Sequence, residues 1–145
     1  EAMDYYAEVF ANSKILSVNM YPDESLDEHF EGMGGKVITG VFELDGQQFM
    51  CLDGGPMYTF NESISMFVSC KDQEEIDYYW EKLSAVPESE QCGWCKDKWG
   101  VSWQITPRTL TDALAAGGAE AKRAFDAMMT MKKIDVAAID AARKG

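Results

Sequence analysis

The sequence has few positive charges, a single histidine and no long apolar run. Its 145 residues include 13 lysines and arginines against 25 aspartates and glutamates, a formal charge of −12. A surface of that sign repels the phosphates of nucleic acids and anionic lipids, so we expect neither nucleic acid nor membrane as a partner. No segment reaches the ~18 apolar residues that a membrane-spanning helix requires.

Nucleotide-binding and zinc-binding patterns are also missing. No GxGxG follows a strand, so the usual S-adenosylmethionine site has no support. The four cysteines include one close pair, Cys92-Gly-Trp-Cys95, while Cys51 and Cys70 are isolated. A redox pair needs a helix N-terminus to lower the thiol pKa, but the residues after Cys95 have the pattern of a turn and a strand. We therefore expect reduced thiols, no cofactor and a cytoplasmic protein.

The chain contains an internal repeat. The segment EAMDYYAEVF at residues 1–10 returns as EEIDYYWEKL at residues 74–83, with five identities in ten positions. Both copies have the apolar spacing of an amphipathic helix, and strand-like segments follow each. A duplicated unit of this size predicts two similar halves with a cleft where they meet. By symmetry we also expect a strand before Glu1, so the numbering would begin inside the natural protein.

Local signals place the remaining elements. We predict strands at 14–21, 36–44, 47–52, 63–70, 91–96 and 100–106, with a tight hairpin turn at Asp45-Gly46. Asp72 has the position of an N-cap for the second helix. The alanine-rich residues 109–145 have a helical pattern that breaks at Gly117-Gly118, and Asp135 is placed to cap a last short helix.

Five segments of the chain together resemble a known family: LDGQQFMCLDGGP, FNESISMFVSC, DQEEIDYYWEKL, CGWCKDKWGVSWQITP and AMMTMKK. They are similar to the PhnB-like branch of the glyoxalase, bleomycin-resistance and extradiol dioxygenase (vicinal oxygen chelate) superfamily, some of whose members are called 3-demethylubiquinone-9 3-methyltransferase-like. The resemblance implies an α+β fold of two βαβββ modules, a curved mixed sheet around a cavity, and a homodimer. We assign residues 1–55 and 56–108 to the modules, the first without its opening strand, and residues 109–145 to a C-terminal helical tail.

The resemblance also implies where metal ligands would lie. In metal-dependent members of the superfamily they come from the first and last strands of each module. Counting seven residues back from Asp72 leads to Ser65, and counting four on from the turn glycines Gly100 and Gly46 leads to Gln104 and Met50. A hydroxyl, an amide and a thioether are poor ligands for catalytic divalent ions, so we predict no metal site.

Strand alternation predicts the lining of the cavity instead. On the strand at 63–70, Ser65 and Phe67 share the mixed face, and the opposite, all-apolar face with Ile64 should pack beneath a helix. Ser102, Gln104 and Thr106 form the mixed face of the strand at 100–106, and Met50 would join this lining from the first half. Trp94 could add aromatic surface and Asp53 a carboxylate, although core packing for Trp94 and turn formation for Asp53 are the favoured explanations.

Three functions remain open on this evidence. The first is binding of a small organic molecule in the cavity without a catalytic metal. The second is an enzyme of the superfamily. It would be a metal-dependent lyase, isomerase or dioxygenase with other ligands such as His29 and nearby carboxylates, a metal-free lyase or isomerase, or the methyltransferase of the family's name. The third is a structural dimer whose cavity is closed by side chains. The fold alone does not choose among them, because one fold carries many chemistries.

Overall fold

The computed structural model describes all 145 residues, in two compact units, Glu1–Tyr58 and Thr59–Gly145. The first unit holds helix α1 (Ala2–Val9) and strands β1 (Lys14–Met20), β2 (Val37–Leu44) and β3 (Gln47–Leu52). The second holds β4 (Met66–Cys70), α2 (Gln73–Leu83), β5 (Trp94–Lys96), β6 (Ser102–Pro107), α3 (Arg108–Ala116), α4 (Gly118–Met128) and α5 (Val136–Lys144). The predicted α+β class is confirmed. None of these helices is both long and apolar enough to cross a membrane.

The sheet of the first unit is antiparallel, in the order β1-β2-β3. The predicted hairpin is confirmed, since Asp45 and Gly46 at its turn both have positive φ angles, 45° and 84°. Such angles are those of the type I′ turn, whose twist matches that of the flanking strands. Helix α1 buries its predicted apolar face on this sheet, and a Cβ at Gly40 would overlap the Met3 side chain. The glycine therefore lets the helix approach β2 closely.

The sheet of the second unit is mixed, in the order β4-β6-β5. Strands β4 and β6 run parallel, and β5 pairs antiparallel with β6. Helix α2 follows β4, and its predicted N-cap is confirmed because the Asp72 carboxylate accepts a hydrogen bond from Glu75 N at 3.0 Å. Ile76 and Leu83 on this helix are fully buried, as are Ile105 and Cys70 on the sheet. This shared burial joins helix and sheet into one core.

The three tail helices belong to the second unit. The predicted break is confirmed, with Gly117 between α3 and α4 at a φ of 71°, and Asp135 caps α5 through Ala138 N at 3.0 Å. The Gln73 side-chain amide on α2 is hydrogen-bonded to the start of α5. It donates to Ile134 O at 3.1 Å and accepts from Val136 N at 2.8 Å. Ile134 and Ile139 add fully buried apolar surface at the same junction.

Two strands start three residues later than predicted. Strand β4 starts at Met66 instead of residue 63, so Ile64, predicted to pack beneath a helix, lies outside the strand and is 66% exposed. Strand β5 starts at Trp94 because residues 91–94 form a tight turn. The second unit thus has the order β-α-β-β before its tail, and the first α-β-β-β. The βαβββ layout, the cavity and the boundaries at 55 and 108 stay predictions.

Candidate functional site

Three of the predicted site residues form a row across one face of the second sheet. Gln104 on the central strand β6 pairs with Phe67 on β4 and with Trp94 on β5. Directly paired residues in a sheet point to the same face, so the three side chains are neighbours. Phe67 is 53% exposed, and Trp94 and Gln104 are half-buried. The row is therefore an open aromatic surface with an amide at its centre.

A fourth predicted residue joins this row through a hydrogen bond. Gln104 Nε2 donates to Ser65 Oγ at 2.8 Å. The bond leaves the Gln104 carbonyl oxygen as an acceptor and the Ser65 hydroxyl proton as a donor. Beside Phe67 and Trp94, this pair offers both hydrogen-bonding roles to a bound molecule.

The other two predicted residues belong to the first unit. Met50 pairs with Val41 on the face of that sheet opposite Phe42, and its side chain is 73% exposed. Asp53 follows β3, where its backbone N donates to Ile38 O at 3.0 Å and its carbonyl accepts from Tyr21 Oη at 3.2 Å. The contact of Asp53 with Tyr21 involves its backbone, as the turn interpretation expects. A common site of Met50 and Asp53 with the other four residues stays a prediction.

The residues at the three ligand positions inferred from the resemblance have side chains that do not suit a divalent metal. Ser65 and Gln104 are hydrogen-bonded to each other, and the third position holds the thioether of Met50. Zinc, iron and manganese bind imidazole, thiolate and carboxylate ligands, which this set does not contain. No group of three or more histidine, cysteine, aspartate or glutamate side chains is arranged to hold a metal elsewhere in the chain.

The single histidine lies in the acidic loop between β1 and β2. His29 Nδ1 is 2.7 Å from Asp27 Oδ1, and the histidine side chain is 81% exposed. The backbone N–H of His29 also donates to the same carboxylate, and these two hydrogen bonds hold the pKa of Asp27 below its ordinary value. The contacts are local turn contacts of a solvated loop, and they bring no further ligand to His29.

A small cavity with several polar side chains in its lining adjoins the aromatic row, and sequence reasoning did not find it as a site. Its volume is about 140 Å³, and its lining includes Glu62, Gln91, Trp94, Lys96 and Ser102. Lys96 and Ser102 are paired across β5 and β6, one step along the same face from Trp94 and Gln104. The Lys96 ammonium binds the Glu62 carboxylate and, by that hydrogen bond and its charge, lowers the pKa of Glu62. Alternation placed Ser102 on this face, but no sequence signal pairs Lys96 with Glu62, 34 residues away.

Ser102 belongs to the lining of this cavity, and its hydroxyl has no hydrogen-bond partner. Its side chain is buried, with 2% of the residue exposed, and it is the one buried polar side-chain group without a partner in the structure. Buried hydroxyls nearly always have partners, because an unsatisfied group loses its hydrogen bonds to water without replacement. Because Ser102 borders a cavity, a ligand or a water molecule is the partner to expect for this hydroxyl.

The Cys92–Cys95 pair spans a turn and the start of β5, and no helix follows it, as the sequence predicts. Cys92 and Gly93 both have positive φ angles, 51° and 82°, and residues 91 and 94 exchange backbone hydrogen bonds of 2.7 and 3.1 Å. The next residues are β5 and a loop to β6. Burial, with the charges of Asp97 and Glu90, raises the pKa of the Cys95 thiol to about 12. That is the opposite of the lowered pKa that redox activity requires.

A buried carboxylate holds the β5–β6 connection that positions the row. Asp97 accepts hydrogen bonds from Trp99 N at 2.9 Å and Val101 N at 3.0 Å, and its second oxygen accepts from Trp103 Nε1 at 2.8 Å. Only 2% of Asp97 is exposed. The side chain thus fixes the loop geometry that sets the pairing of Trp94 and Lys96 with β6. The segment KDKWG indicates a turn, but the indole contact depends on the folded sheet.

A larger cleft of about 630 Å³ lies between α2 and the start of α5. Its polar side chains already have partners within the protein, with Asp77 bound to Lys133 at 2.6 Å and to Gln73 at 3.1 Å. Asp135 in the same lining is the N-cap of α5. These contacts join the tail to the body, so we interpret the cleft as a structural junction.

Comparison with known proteins supports a family assignment. The model of the 3-demethylubiquinone-9 3-methyltransferase family matches residues 1–106. A solved PhnB protein from Bacillus cereus, provisionally named 3-demethylubiquinone-9 3-methyltransferase, is 38% identical, with a TM-score of 0.58 over 73% of this chain and 88% of that one. A solved protein from Staphylococcus aureus is 28% identical, covering 71% of this chain and 80% of its own, at a TM-score of 0.28. No curated protein matches the chain.

The family match covers both copies of the internal repeat and the whole second sheet except its final proline. The residues of the aromatic row therefore lie within it. On these matches, the chain belongs to the 3-demethylubiquinone-9 3-methyltransferase family, in its PhnB-like branch.

Proposed function

We propose that this protein binds a small organic molecule on the open face of its second sheet, without a catalytic metal. One observation carries the proposal: Phe67, Gln104 and Trp94 are paired across three strands, with Gln104 bonded to Ser65. Apolar walls with a few placed polar groups are typical of small-molecule sites. This is the binding function that the glyoxalase-like superfamily would suggest for a member without metal ligands. The arrangement of this chain as two βαβββ modules around a sheet cavity is part of the same proposal.

The roles of the residues follow from their chemistry. Phe67 and Trp94 supply flat apolar surface for an aromatic or alicyclic group. The Gln104 carbonyl accepts a hydrogen bond from the ligand, and the Ser65 hydroxyl donates one. Their mutual hydrogen bond holds both in place before binding, which reduces the entropy lost when a ligand is bound. The Ser65 hydroxyl is hydrogen-bonded to an amide and not to a general base that would activate it as a nucleophile, so we propose binding alone.

The experiment is an NMR screen of neutral aromatic fragments against isotope-labelled protein, with Phe67→Ala as the site variant. Loss of the ring removes about 1.5–3 kcal/mol of apolar contact, so fragment affinity should fall roughly 10- to 100-fold. Phe125→Ala is the matched control, because Phe125 on α4 is 47% exposed and lies outside the row. Equal affinities for Phe67→Ala and Phe125→Ala, or no fragment binding at all, would contradict the proposal. Elemental analysis of protein purified without chelators tests the metal-free part, which stoichiometric zinc, iron or manganese would contradict.

We also propose a homodimer in the cytoplasm, as the superfamily resemblance implies. The apolar residues of edge strand β1 support the dimer, since Ile15, Leu16, Val18 and Met20 are 38–49% exposed. An exposed apolar edge strand is a common place for a second copy of a chain to pair. Sedimentation velocity should show a dimer that Val18→Lys weakens, and a wild-type monomer at every concentration would contradict it.

A further inference from the structure

The cavity beside the aromatic row has the features of a binding site for one functional group of a ligand. Its volume of about 140 Å³ is below the ~300–1,000 Å³ of whole drug-sized sites. It shares Trp94 with the row, so a molecule lying over Phe67 and Trp94 can extend one group into it. This inference rests on the proposed function and specifies which group enters.

Two paired residues in the wall of the cavity carry hydrogen-bond donors. Ser102 and Lys96 are directly paired on the same face, and the Ser102 hydroxyl, buried and without a partner, can donate its proton. The Lys96 ammonium has three N–H donors, and Glu62 occupies one of them. A buried hydroxyl next to an ammonium suits an acceptor of negative charge, because hydrogen bonds to ionised groups are the stronger kind.

The Glu62 carboxylate shows the kind of group to which the Lys96 ammonium donates. It lies in the loop before β4, its side chain is 61% exposed, and it reaches Lys96 from outside the sheet. A ligand carboxylate can take its place or share the ammonium with it. We propose that the ligand of this face carries a carboxylate, bound by Lys96 and Ser102, on an aromatic group bound by Phe67 and Trp94.

The sheet geometry sets the spacing between the two ends of this ligand. Ser102 and Gln104 are two residues apart on one strand, or about 7 Å at the usual rise per residue. An aromatic ring with a short flexible carboxylate chain spans that distance, and 4-phenylbutanoate is a probe of this kind. Its neutral analogue 4-phenylbutanamide keeps the shape and loses the charge. The net charge of −12 repels any anion at long range, but physiological salt screens this repulsion beyond ~8 Å. The attraction between the ligand carboxylate and Lys96 acts at contact distance, so salt screens it less.

The test measures Kd for both probes by NMR titration of the full chain. The carboxylate should bind about tenfold or more tightly than the amide, as expected for one charge-assisted hydrogen bond. Lys96→Met should bring the carboxylate to the affinity of the amide and leave the amide unchanged, while Lys96→Arg should retain the preference. Lys122→Met removes the same charge from an exposed site on α4 and should change neither affinity.

Two further variants separate the cavity from a general charge effect. Glu62→Gln should strengthen carboxylate binding, because it removes the competing carboxylate. Ser102→Ala should weaken carboxylate binding more than amide binding, and it keeps the fold because the hydroxyl it removes has no partner. An increase in carboxylate affinity with Glu62→Gln together with a loss in Ser102→Ala would support the inference.

The outcomes also separate this inference from the proposed function. Equal Kd values for both probes, each weakened by Phe67→Ala, would overturn the carboxylate site and leave the aromatic site in place. A carboxylate preference that Lys122→Met reduces as much as Lys96→Met would also overturn it, because the effect would then be one of net charge. Binding of neither probe would overturn the inference, and the neutral fragment screen would then decide the proposed function by itself.

Discussion

Replacing Asp97 tests whether one buried carboxylate holds the β5–β6 connection. In Asp97→Asn, the amide oxygen can still accept from Trp99 N and Val101 N, which both bond to Oδ1. The amide nitrogen, however, would face the indole N–H of Trp103, a donor against a donor. One charge-assisted hydrogen bond is lost and a buried donor is left without a partner, which should lower the free energy of unfolding by about 1.5–3 kcal/mol. In Asp97→Ala all three donors lose their acceptor, and the loss should reach ~4 kcal/mol or more.

Urea unfolding followed by far-UV circular dichroism measures both losses. Tryptophan fluorescence is the wrong signal, because two of the tryptophans contact the altered residue. The denaturation midpoint should fall while the m-value stays constant, which shows that stability changed and not the extent of unfolding. Asp126→Asn is the control, since its exposed pair with Lys122 on α4 should contribute only ~0.3–0.5 kcal/mol. A loss below about 0.5 kcal/mol for Asp97→Asn would refute the reasoning, because it would mean that the charge and the indole bond contribute little.

Three further predictions concern the buried hydroxyl and the thiols. Ser102→Ala should leave the melting temperature unchanged or raise it, because it removes a buried polar group without a partner, and a fall of several degrees in calorimetry would contradict this. Cys51 and Cys92 are half-buried and should react with iodoacetamide in native protein, whereas the buried Cys70 and Cys95 should react only on unfolding, as peptide mass spectrometry can show. Desolvation raises the pKa of these last two thiols from 9.0 to about 12, so the folded state keeps protons that the unfolded chain loses. Their contribution to stability should be fully present below pH 9 and lost between pH 9 and 12, and urea midpoints that do not fall over this range would contradict it.

The sequence was informative wherever the signal was local. The repeated helix could be recognised because its apolar residues recur at helical spacing, and both copies are helices in the structure. The caps at Asp72 and Asp135 and the turn at Asp45-Gly46 could be predicted because each depends on one side chain or one pair of φ angles within a few residues. The same holds for the face of β4, where alternation separates exposed Phe67 from buried Val68.

Strand ends and the polar cavity could not be predicted in this way. Alternation continued past the start of β4, so Ile64 was assigned to a buried face that the strand does not reach. Strand β5 was predicted too long because the chain turns at Cys92-Gly93, where both residues have positive φ angles. Cysteine rarely adopts such an angle, so its presence in the sequence does not indicate a turn. The pair of Lys96 with Glu62 joins residues 34 positions apart, and only the folded sheet brings them together.

The sequence by itself determined the family, the α+β class and the residue types that the second sheet exposes, because these follow from motif and periodicity. The tertiary structure decided which of those residues meet. The register of β6 against β4 and β5 places Gln104 between Phe67 and Trp94, and it pairs Ser102 with Lys96 in a cavity. Register depends on contacts between distant segments, and so does the burial that leaves the Ser102 hydroxyl without a partner.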